Sequence, residues 1–434
     1  MNALTRKSLK YSLWDGIFAS IMVGCSETFI VPYALALSAG PALVGILAAL
    51  PNLAGAALQA YSPRLSEGLG SRKTLIVSSV FIHALIWIPV IAIPYIITDH
   101  RAVYLILFYT ALVAVGLLSF PPWSSIMADY VPHDQRGKVF GWRNRIFGIT
   151  NISSMLAAGL ILQVFKNRLN APIAGFTIIF AAAFAARLAS CYFLTKMHEP
   201  PLAVSAEHRF TVFDFLKRIR RSNFGRFVIF VAAINFAVFM SAPFFAVYML
   251  KELHFSYLTY TIITMMSTLT IFTMMRVWGS HADHVGNRRV LRLTSYFLPV
   301  IPVLWLFSRS VPYLIAIQIF SGFFWAGFNM SASNFMYDAV TPEKRMRCIA
   351  YFNVVNGIAA FAGAASGGLL ANSLPPVFGS RLLALFVLSG LIRLAASPIC
   401  STIREVRQVK QVSNLELFYS IMTARQPATL YSER

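Results

Sequence analysis

The sequence predicts an all-α membrane protein with twelve transmembrane helices, in two six-helix bundles related by a pseudo-two-fold axis. Three observations predict this fold: long apolar stretches, an uneven distribution of basic residues, and internal repetition. Apolar residues make up 57% of the chain and charged residues 12%, and the mean hydropathy is +0.66. A soluble domain carries about 25% charged residues, so the composition favours a membrane protein.

Twelve stretches are long enough to cross a bilayer, which requires about 20 mostly apolar residues. They cover residues 12–37, 42–61, 74–97, 102–126, 138–165, 173–195, 225–250, 256–278, 290–308, 311–336, 346–372 and 380–400. Some contain prolines, such as Pro32, Pro51, Pro121, Pro122 and Pro243. Membrane helices tolerate proline because neighbouring helices and waters bond the freed backbone groups. We therefore expect helices in spite of these prolines.

The basic residues predict the orientation in the membrane. Of the 37 lysines and arginines, six fall in or next to predicted outer loops, two (Arg187 and Arg393) are counted as lying within spans, and the other 29 fall in inner loops or toward the cytoplasmic ends of spans. This is the positive-inside pattern, so both termini are expected in the cytoplasm. The expected location is a bacterial inner membrane. The net charge of +21 is thus a topology signal. It predicts contact with membrane lipids and no nucleic-acid partner.

The longest predicted inner segment divides the chain into four parts. These are an N-terminal bundle (1–200), a cytoplasmic linker (201–224), a C-terminal bundle (225–400) and a cytoplasmic tail (401–434). In the linker, Phe210, Phe213, Leu216 and Ile219 recur at helical spacing between basic residues. This spacing favours a short amphipathic helix on the inner membrane surface. A solvated basic linker is the alternative.

The two halves of the chain repeat each other. Three pairs of segments match at the same place in each half: residues 63–73 with 279–289, 127–137 with 336–347, and 187–199 with 393–405. In the third pair an Arg stands twelve residues before a Glu in both halves. Because each half has an even number of spans, the halves share one orientation. An axis along the membrane normal should therefore relate them.

The loop after span eight carries a family resemblance. Gly279, Asp283, Gly286, Arg288 and Arg289 fit the pattern G-x-x-x-D-x-x-G-x-R-R. In this respect the chain resembles the major facilitator superfamily, in which such a loop follows the second span of each half. The resemblance extends to about residue 400. It implies a secondary transporter that moves a small-molecule substrate by alternating access, and not an enzyme.

The same loop after span two departs from the family pattern. Pro63 stands where the leading Gly belongs, and Glu67 replaces the Asp. The carboxylate, the second Gly and the two basic residues remain, as Glu67, Gly70, Arg72 and Lys73. We therefore expect both loops to have the same role.

We interpret these loops as a cytoplasmic latch, in which basic side chains bind carboxylates when the cytoplasmic side is shut. Asp129 is the expected acceptor in the first half and Asp338 in the second. The latch residues are Glu67, Gly70, Arg72, Lys73, Asp129, Arg136, Gly279, Asp283, Gly286, Arg288, Arg289 and Asp338. The alternative is that these charges only mark an inner loop.

Glu27 is the outstanding charged residue inside a span, about 4 Å from the midpoint of residues 12–37 at 1.5 Å per residue. Charges there are costly and usually functional or paired. Burial disfavours an ionised carboxyl, so Glu27 can bind and release a proton. A structural buried Glu is the alternative. Asp15, Arg143 and Arg145 are further candidates: the arginines can pair with Asp15, Asp129 or Glu27, or bind an anionic substrate.

Polar and aromatic residues on later spans are the candidates for lining a solute cavity. They are Asn235, Trp325, Asn329, Asn334 and Asn356. Hydrogen bonds between helices would explain the same residues. Arg187 and Arg393 recur in both halves and are expected to be structural, with side chains that reach toward the cytoplasmic surface.

No sequence motif in a supporting context indicates ATP use, a catalytic metal or a nucleophilic enzyme, so no cofactor is expected. The sequence therefore predicts a transporter with a small-molecule substrate and with protons as a candidate second partner. The alternative function is a non-transporting membrane sensor or assembly factor on the same scaffold.

Overall fold

The computed structural model describes residues 3–131, 136–200, 215, 217, 219–340 and 342–406. All regular elements of this described part are helices. The first ten are α1 (Ala3–Ser26), α2 (Ile30–Ala36), α3 (Pro41–Gln59), α4 (Ser62–Gly68), α5 (Arg72–Ile96), α6 (Arg101–Leu118), α7 (Phe120–Tyr130), α8 (Arg136–Asn167), α9 (Pro172–Thr195) and α10 (Asn223–Val247). The others are α11 (Tyr257–Val285), α12 (Asn287–Phe297), α13 (Val300–Leu304), α14 (Val311–Asp338), α15 (Pro342–Ser373) and α16 (Arg381–Ala396).

Eleven helical segments in the described part are long and apolar enough to cross a membrane. They coincide with eleven of the twelve predicted spans. The ninth predicted span, 290–308, consists of two shorter helices, α12 and α13, which are separated at Leu298 and Pro299. With this interrupted span included, the predicted all-helical fold of twelve spans is confirmed.

The described helices form two compact units. The first contains the described residues up to 200 together with 243–262 and 364–369, and the second contains the other described residues. The packing units thus cross the predicted boundary between the bundles. The boundaries at residues 200, 225 and 400 stay a prediction.

Aromatic side chains form much of the core of the first unit, where α1 and α5 both pack on α9. Tyr33 meets Phe180 edge-on, with ring centroids 5.0 Å apart, and Trp87 lies 5.2 Å from the same ring. Trp87 and Phe180 are fully buried. Burying rings of this size supplies a large part of the apolar contact of a helical core.

The second unit has a similar aromatic centre, in which α12 packs on α14. The rings of Phe297 and Phe324 stack with centroids 4.3 Å apart, and Trp278 lies 5.3 Å from Phe323. The indole of Trp278 donates to the Phe323 carbonyl at 2.8 Å, so this buried polar group is bonded.

Proline residues within the spans determine several contacts between helices. A proline has no N–H for the carbonyl four residues earlier, which is then left without its helical partner. Five such carbonyls accept a side-chain hydrogen bond: Thr28 from Tyr260 (2.9 Å), Val90 from Tyr33 (3.0 Å), Leu118 from Ser62 (3.0 Å), Ser295 from Ser397 (2.6 Å) and Leu298 from Arg393 (3.2 Å). The prolines that free them are Pro32, Pro94, Pro122, Pro299 and Pro302. The expected tolerance of Pro32 and Pro122 thus has a specific structural basis.

Arg393 differs from its expected behaviour. Its side chain is only 2% exposed and binds the Leu298 carbonyl and the Ser241 hydroxyl, the latter at 2.9 Å. It therefore does not reach toward the surface. A proline-freed carbonyl and a hydroxyl bind the two terminal nitrogens of this guanidinium inside the protein, while its Nε has no hydrogen-bond partner among the described residues.

The linker and tail lie mostly outside the described residues. Phe210, Phe213 and Leu216 of the predicted amphipathic helix are outside them, as is the tail from residue 407. Of the described linker residues, Phe215 is buried and packs 5.6 Å from the ring of Tyr351. The surface helix stays a prediction.

Candidate functional site

The N-terminus of α5, directly after the turn of the first repeated segment, is bound by the carboxylate of Glu199, which lies shortly after the end of α9. Glu199 accepts from the backbone N–H of Arg72 at 2.6 Å and of Lys73 at 3.3 Å, and from the Ser71 hydroxyl at 2.6 Å. The first N–H groups of a helix have no partner within the helix and carry partial positive charge. Glu199 therefore neutralises and caps this end.

Arg72 ties the same loop to α7. Its guanidinium contacts Asp129 at 2.9 Å, the Ser125 hydroxyl at 2.7 Å and the Pro200 carbonyl at 2.9 Å. Arg72 is only 5% exposed, whereas the Asp129 side chain is 42% exposed, so this charge-assisted bond is open to water on the side of the acid. The expected pair of Arg72 and Asp129 is present, and these contacts all lie within the first unit.

The second unit repeats the carboxylate cap. Glu405 accepts from the backbone N–H of Arg288 at 2.8 Å, as Glu199 does from Arg72. The Arg288 guanidinium donates to the Ser401 carbonyl at 3.1 Å, while the amide of Asn287 donates to Asp338 at 2.9 Å. Asp338 therefore takes part in the contacts of this turn, and its expected role as acceptor for the basic residues of the loop stays a prediction.

Gly70 and Gly286 lie in the turns before α5 and α12, where the backbone adopts a conformation that favours glycine. Their φ angles are +64° and +90°, which L-residues with side chains rarely adopt. A Cβ on Gly70 would meet open space, whereas a Cβ on Gly286 would collide with the carboxylate of Glu405. Gly286 thus serves both the turn and the close approach of the cap.

The other residues of the predicted latch lie in helices rather than loops. Gly279 and Asp283 belong to the last turns of α11, and Glu67 belongs to α4, so the predicted loop bounds were too wide. Asp283 and Glu67 are exposed and Arg289 is half-buried. The side chain of Arg136 lies outside the described part.

Asp15 is buried in a cluster of polar groups within the first unit. Its carboxylate accepts from the Ser190 hydroxyl at 2.7 Å, and the charges of Arg143 and Arg187 act on it. Asp15, Arg143 and Arg187 are 5%, 2% and 9% exposed. A buried carboxylate flanked by cations is compensated in place, so Asp15 has a structural environment.

Arg143 is held by more than Asp15. It donates to the carbonyl and hydroxyl of Ser12 at 3.1 and 2.9 Å, and its guanidinium lies 5.4 and 5.2 Å from the rings of Trp123 and Phe147. These contacts leave it enclosed between helices. Of the open possibilities, the charge of Arg143 acts on Asp15, and the binding of an anionic substrate stays a prediction. Arg145 is exposed.

Glu27 stands at an interruption of the first span. The α-helix stops at Ser26, a single 3-10 turn covers Glu27–Phe29, and α2 follows. Ala36, the end of the span, is nine residues on, which is about 14 Å at 1.5 Å per residue and close to half of a hydrocarbon core about 30 Å thick. The Glu27 side chain is exposed, and Tyr109 of α6 is near enough to interact with its charge.

The cavity candidates fall into two groups. Asn235 donates to the Asn356 side chain at 2.7 Å, and Asn356 donates to the Phe352 carbonyl at 2.8 Å, so these two amides bridge α10 and α15. Trp325 lies at the middle of α14, and Asn329, one turn further, is exposed. Asn334 is half-buried. A shared cavity lined by all five residues stays a prediction.

Among the described residues, no group of three or more His, Cys, Asp or Glu side chains is placed to hold a metal ion.

The model of the Major Facilitator Superfamily matches residues 16–247 and 227–424. The chain belongs to the major facilitator superfamily. It is accordingly a secondary transporter, as the resemblance of the 279–289 segment implied. No curated protein sequence matches the chain.

Solved transporters share the fold at low sequence identity. A single-site mutant of the nucleoside transporter NupG has a TM-score of 0.74 and 13% identity, over 91% of this chain and 99% of that one. A D-xylose-proton symporter has a TM-score of 0.67 and 14% identity, over 94% and 99%. A bacterial homolog of the human lysosomal transporter Spinster, in an inward-facing and occupied conformation, has a TM-score of 0.65 and 14% identity, over 99% of this chain and 99% of that one. These likenesses concern the fold.

Sequence reasoning missed Glu199 and Glu405, whose carboxylates cap α5 and α12. The signal was present, since each Glu closes a repeated segment twelve residues after an Arg. The partner could not be read from spacing, because Glu199 lies 127 residues from Arg72.

The two turn glycines give a matched test. Gly70→Ala should cost about 1–2 kcal/mol, the usual penalty for a left-handed backbone. Gly286→Ala should cost clearly more, because it adds a collision with Glu405. Thermal unfolding of both variants in the same detergent measures the difference. Equal losses of stability would contradict the close approach of Glu405 to Gly286.

Proposed function

We propose that this secondary transporter couples solute movement to protons through Glu27. The observation that carries the proposal is an accessible carboxyl at a helix interruption, at the depth of the membrane centre. The salt bridges found among the described residues, Arg72 with Asp129 and with Glu199, do not involve Glu27. A carboxyl without such a partner can be neutralised only by binding a proton or a cationic group.

The environment of Asp15 supports the choice of Glu27 over Asp15. Ser190 and two arginines already compensate Asp15, so its protonation would leave Arg143 and Arg187 unbalanced. One of the similar structures is a D-xylose-proton symporter, which fits proton coupling on this fold.

We infer that the substrate is a small polar solute without net charge. The candidate cavity groups are amides and an indole, and Arg143 is engaged by Asp15, Ser12 and aromatic rings. Amides offer both donors and acceptors, which suit hydroxyl and base groups. Nucleosides and D-xylose, named for two similar transporters, belong to this chemical class. Counterflow of radiolabelled nucleosides and pentoses in proteoliposomes, against protein-free liposomes, tests this inference.

The Glu27→Gln variant tests proton coupling, because glutamine keeps the shape and cannot release a proton. Accumulation driven by a pH gradient should fall to that of protein-free liposomes, while exchange of substrate across the membrane continues. The measurement is uphill uptake and exchange on the same purified, monodisperse variant. Accumulation at the parent rate would exclude Glu27 as the coupling group.

Asp15→Asn is the contrasting variant for this experiment. It should reduce the yield of folded protein, because it removes the buried negative charge that acts on Arg143 and Arg187 and leaves their charges uncompensated. If well-folded Glu27→Gln protein loses both exchange and accumulation, Glu27 binds a cationic group of the substrate instead.

We propose that the exposed acids of the repeated segments, Glu67 and Asp283, act in the predicted cytoplasmic latch. Their neighbours Arg72 and Arg288 are engaged within their own units, and Glu67 and Asp283 are exposed at matching positions of the two repeated segments. An exposed carboxylate there can bind and release a cation as the transporter changes state.

Asp283→Asn should lower the transport rate without lowering membrane abundance, because it removes a charge and no apolar packing. Asp99→Asn, an exposed acid between α5 and α6 at the opposite end of the spans, is the matched control. Initial rates of counterflow and immunoblots of membranes measure the two effects. Parent-like transport by Asp283→Asn would leave Asp283 without a role in the cycle.

We propose that both termini and the repeated segments face the cytoplasm of a bacterial inner membrane, with Ser310 on the outer side. The support is the Lys and Arg distribution. In a background without native cysteines, a membrane-impermeant maleimide added to intact cells should label Ser310→Cys and leave Gly68→Cys unmodified. Labelling of Gly68→Cys in intact cells would reverse the orientation.

A further inference from the structure

One of the five proline-freed carbonyls differs from the others. The carbonyls of Val90 and Leu118 bind donors from the first sequence repeat, and those of Ser295 and Leu298 bind donors from the second. The Thr28 carbonyl, in contrast, lies in the first repeat, and its donor Tyr260 lies in α11 of the second. Both residues belong to the first packing unit.

The carbonyl of Thr28 is available because of Pro32. In a continuous α-helix, the N–H of residue 32 would bond to it, and proline has no such N–H. The Tyr260 hydroxyl donates to this carbonyl at 2.9 Å. Tyr260 is 5% exposed, so its hydroxyl has exchanged water for this bond, and losing the partner would be costly.

Neighbouring contacts hold the start of α11 against the same surface of the first unit. Tyr257 meets the ring of Phe176 edge-on at 5.5 Å, and the ammonium of Lys166 lies 5.1 Å above the Tyr257 ring. A Cβ added at Gly159 would lie 2.5 Å from the Thr261 hydroxyl, so α8 and α11 approach closely. The contacts are at the end of the spans opposite the repeated segments.

We propose that Tyr260 is a positioning residue of the transport cycle, which holds this end closed by bonding the carbonyl that Pro32 frees. In alternating access, this end must open to load or release solute, and α11 must then leave the Thr28 carbonyl. A helix interruption is a suitable partner, since breaking the bond disturbs no helical hydrogen bond. The proposal rests on alternating access and is independent of proton coupling by Glu27.

The distance between two spin labels at this end measures the closed and open populations. Nitroxides are attached at Leu169→Cys and Glu252→Cys, both exposed, in full-length protein whose four native cysteines are replaced by alanine. The protein is reconstituted in lipid nanodiscs, and electron–electron double resonance reports the distance distribution.

Tyr260→Phe keeps the ring and removes the donor. The ratio of long to short distances should rise about fivefold, the change expected for the loss of one hydrogen bond. Thr28→Val is the matched control, because it removes the Thr28 hydroxyl and keeps the carbonyl. It should leave the distribution unchanged. An unchanged distribution in Tyr260→Phe, or an equal shift in Thr28→Val, would overturn the proposal.

Pro32→Ala tests the origin of the free carbonyl. Alanine restores an N–H that competes with Tyr260, so the long-distance population should rise, and adding Tyr260→Phe should then have a smaller effect than in the parent. Equal effects of Tyr260→Phe in the two backgrounds would overturn the assignment to the proline-freed carbonyl. None of these outcomes depends on Glu27→Gln uptake, so the two proposals can fail separately.

Discussion

A lipid bilayer offers no water to a backbone polar group, and this constraint governs the contacts between helices in the described structure. An unsatisfied N–H or carbonyl in hydrocarbon costs several kcal/mol. The protein nevertheless contains prolines within its spans, each of which frees a carbonyl. Five of these carbonyls bind a side chain from elsewhere in the chain. Helix packing is thus directed by specific polar bonds in addition to apolar contact, which by itself cannot distinguish a neighbouring helix from a lipid tail.

The same constraint explains what the two repeats share at their helix ends. The N-termini of α5 and α12 leave N–H groups without helical partners, and Glu199 and Glu405 supply equivalent acceptors. The side chains around these caps differ more than the caps do. Arg72 pairs with Asp129, whereas Asn287 contacts Asp338. The backbone requirement is thus met in the same way in both repeats, by a Glu that follows the last span of each half.

The buried arginines illustrate a second difference between the repeats. Arg187 and Arg393 occupy matching positions in the sequence and are both buried. Arg187 lies near the carboxylate of Asp15. Arg393 instead binds the Leu298 carbonyl, which Pro302 frees, and the hydroxyl of Ser241. A proline in the ninth span thus provides the acceptor that an acid provides in the first unit.

Local pattern predicted the parts of this structure that depend on local chemistry. Hydropathy predicted the spans because apolar length alone decides which segments can cross a membrane. The pair of Arg72 and Asp129 could be predicted because both lie at the same end of their spans in the first unit. The cap by Glu199 could not, since its partner is determined by where a distant segment returns. The segment Gly279–Val285 continues as helix because no residue before Gly286 requires a positive φ.

The interruption at Glu27 joins two consequences of one proline. Pro32 frees the Thr28 carbonyl, and Thr28 itself lies in the 3-10 turn Glu27–Phe29 that replaces regular helix. A regular helix would bond this carbonyl within itself and would give neighbouring helices no backbone group to hold. The interruption instead presents a carboxyl and a carbonyl on adjacent residues, and Tyr260 binds the carbonyl. A change at either group acts on the same short turn, which has fewer helical bonds to resist it than any continuous part of the span. The sequence shows only Pro32 and Glu27, five residues apart, and their connection depends on which helix supplies the missing donor.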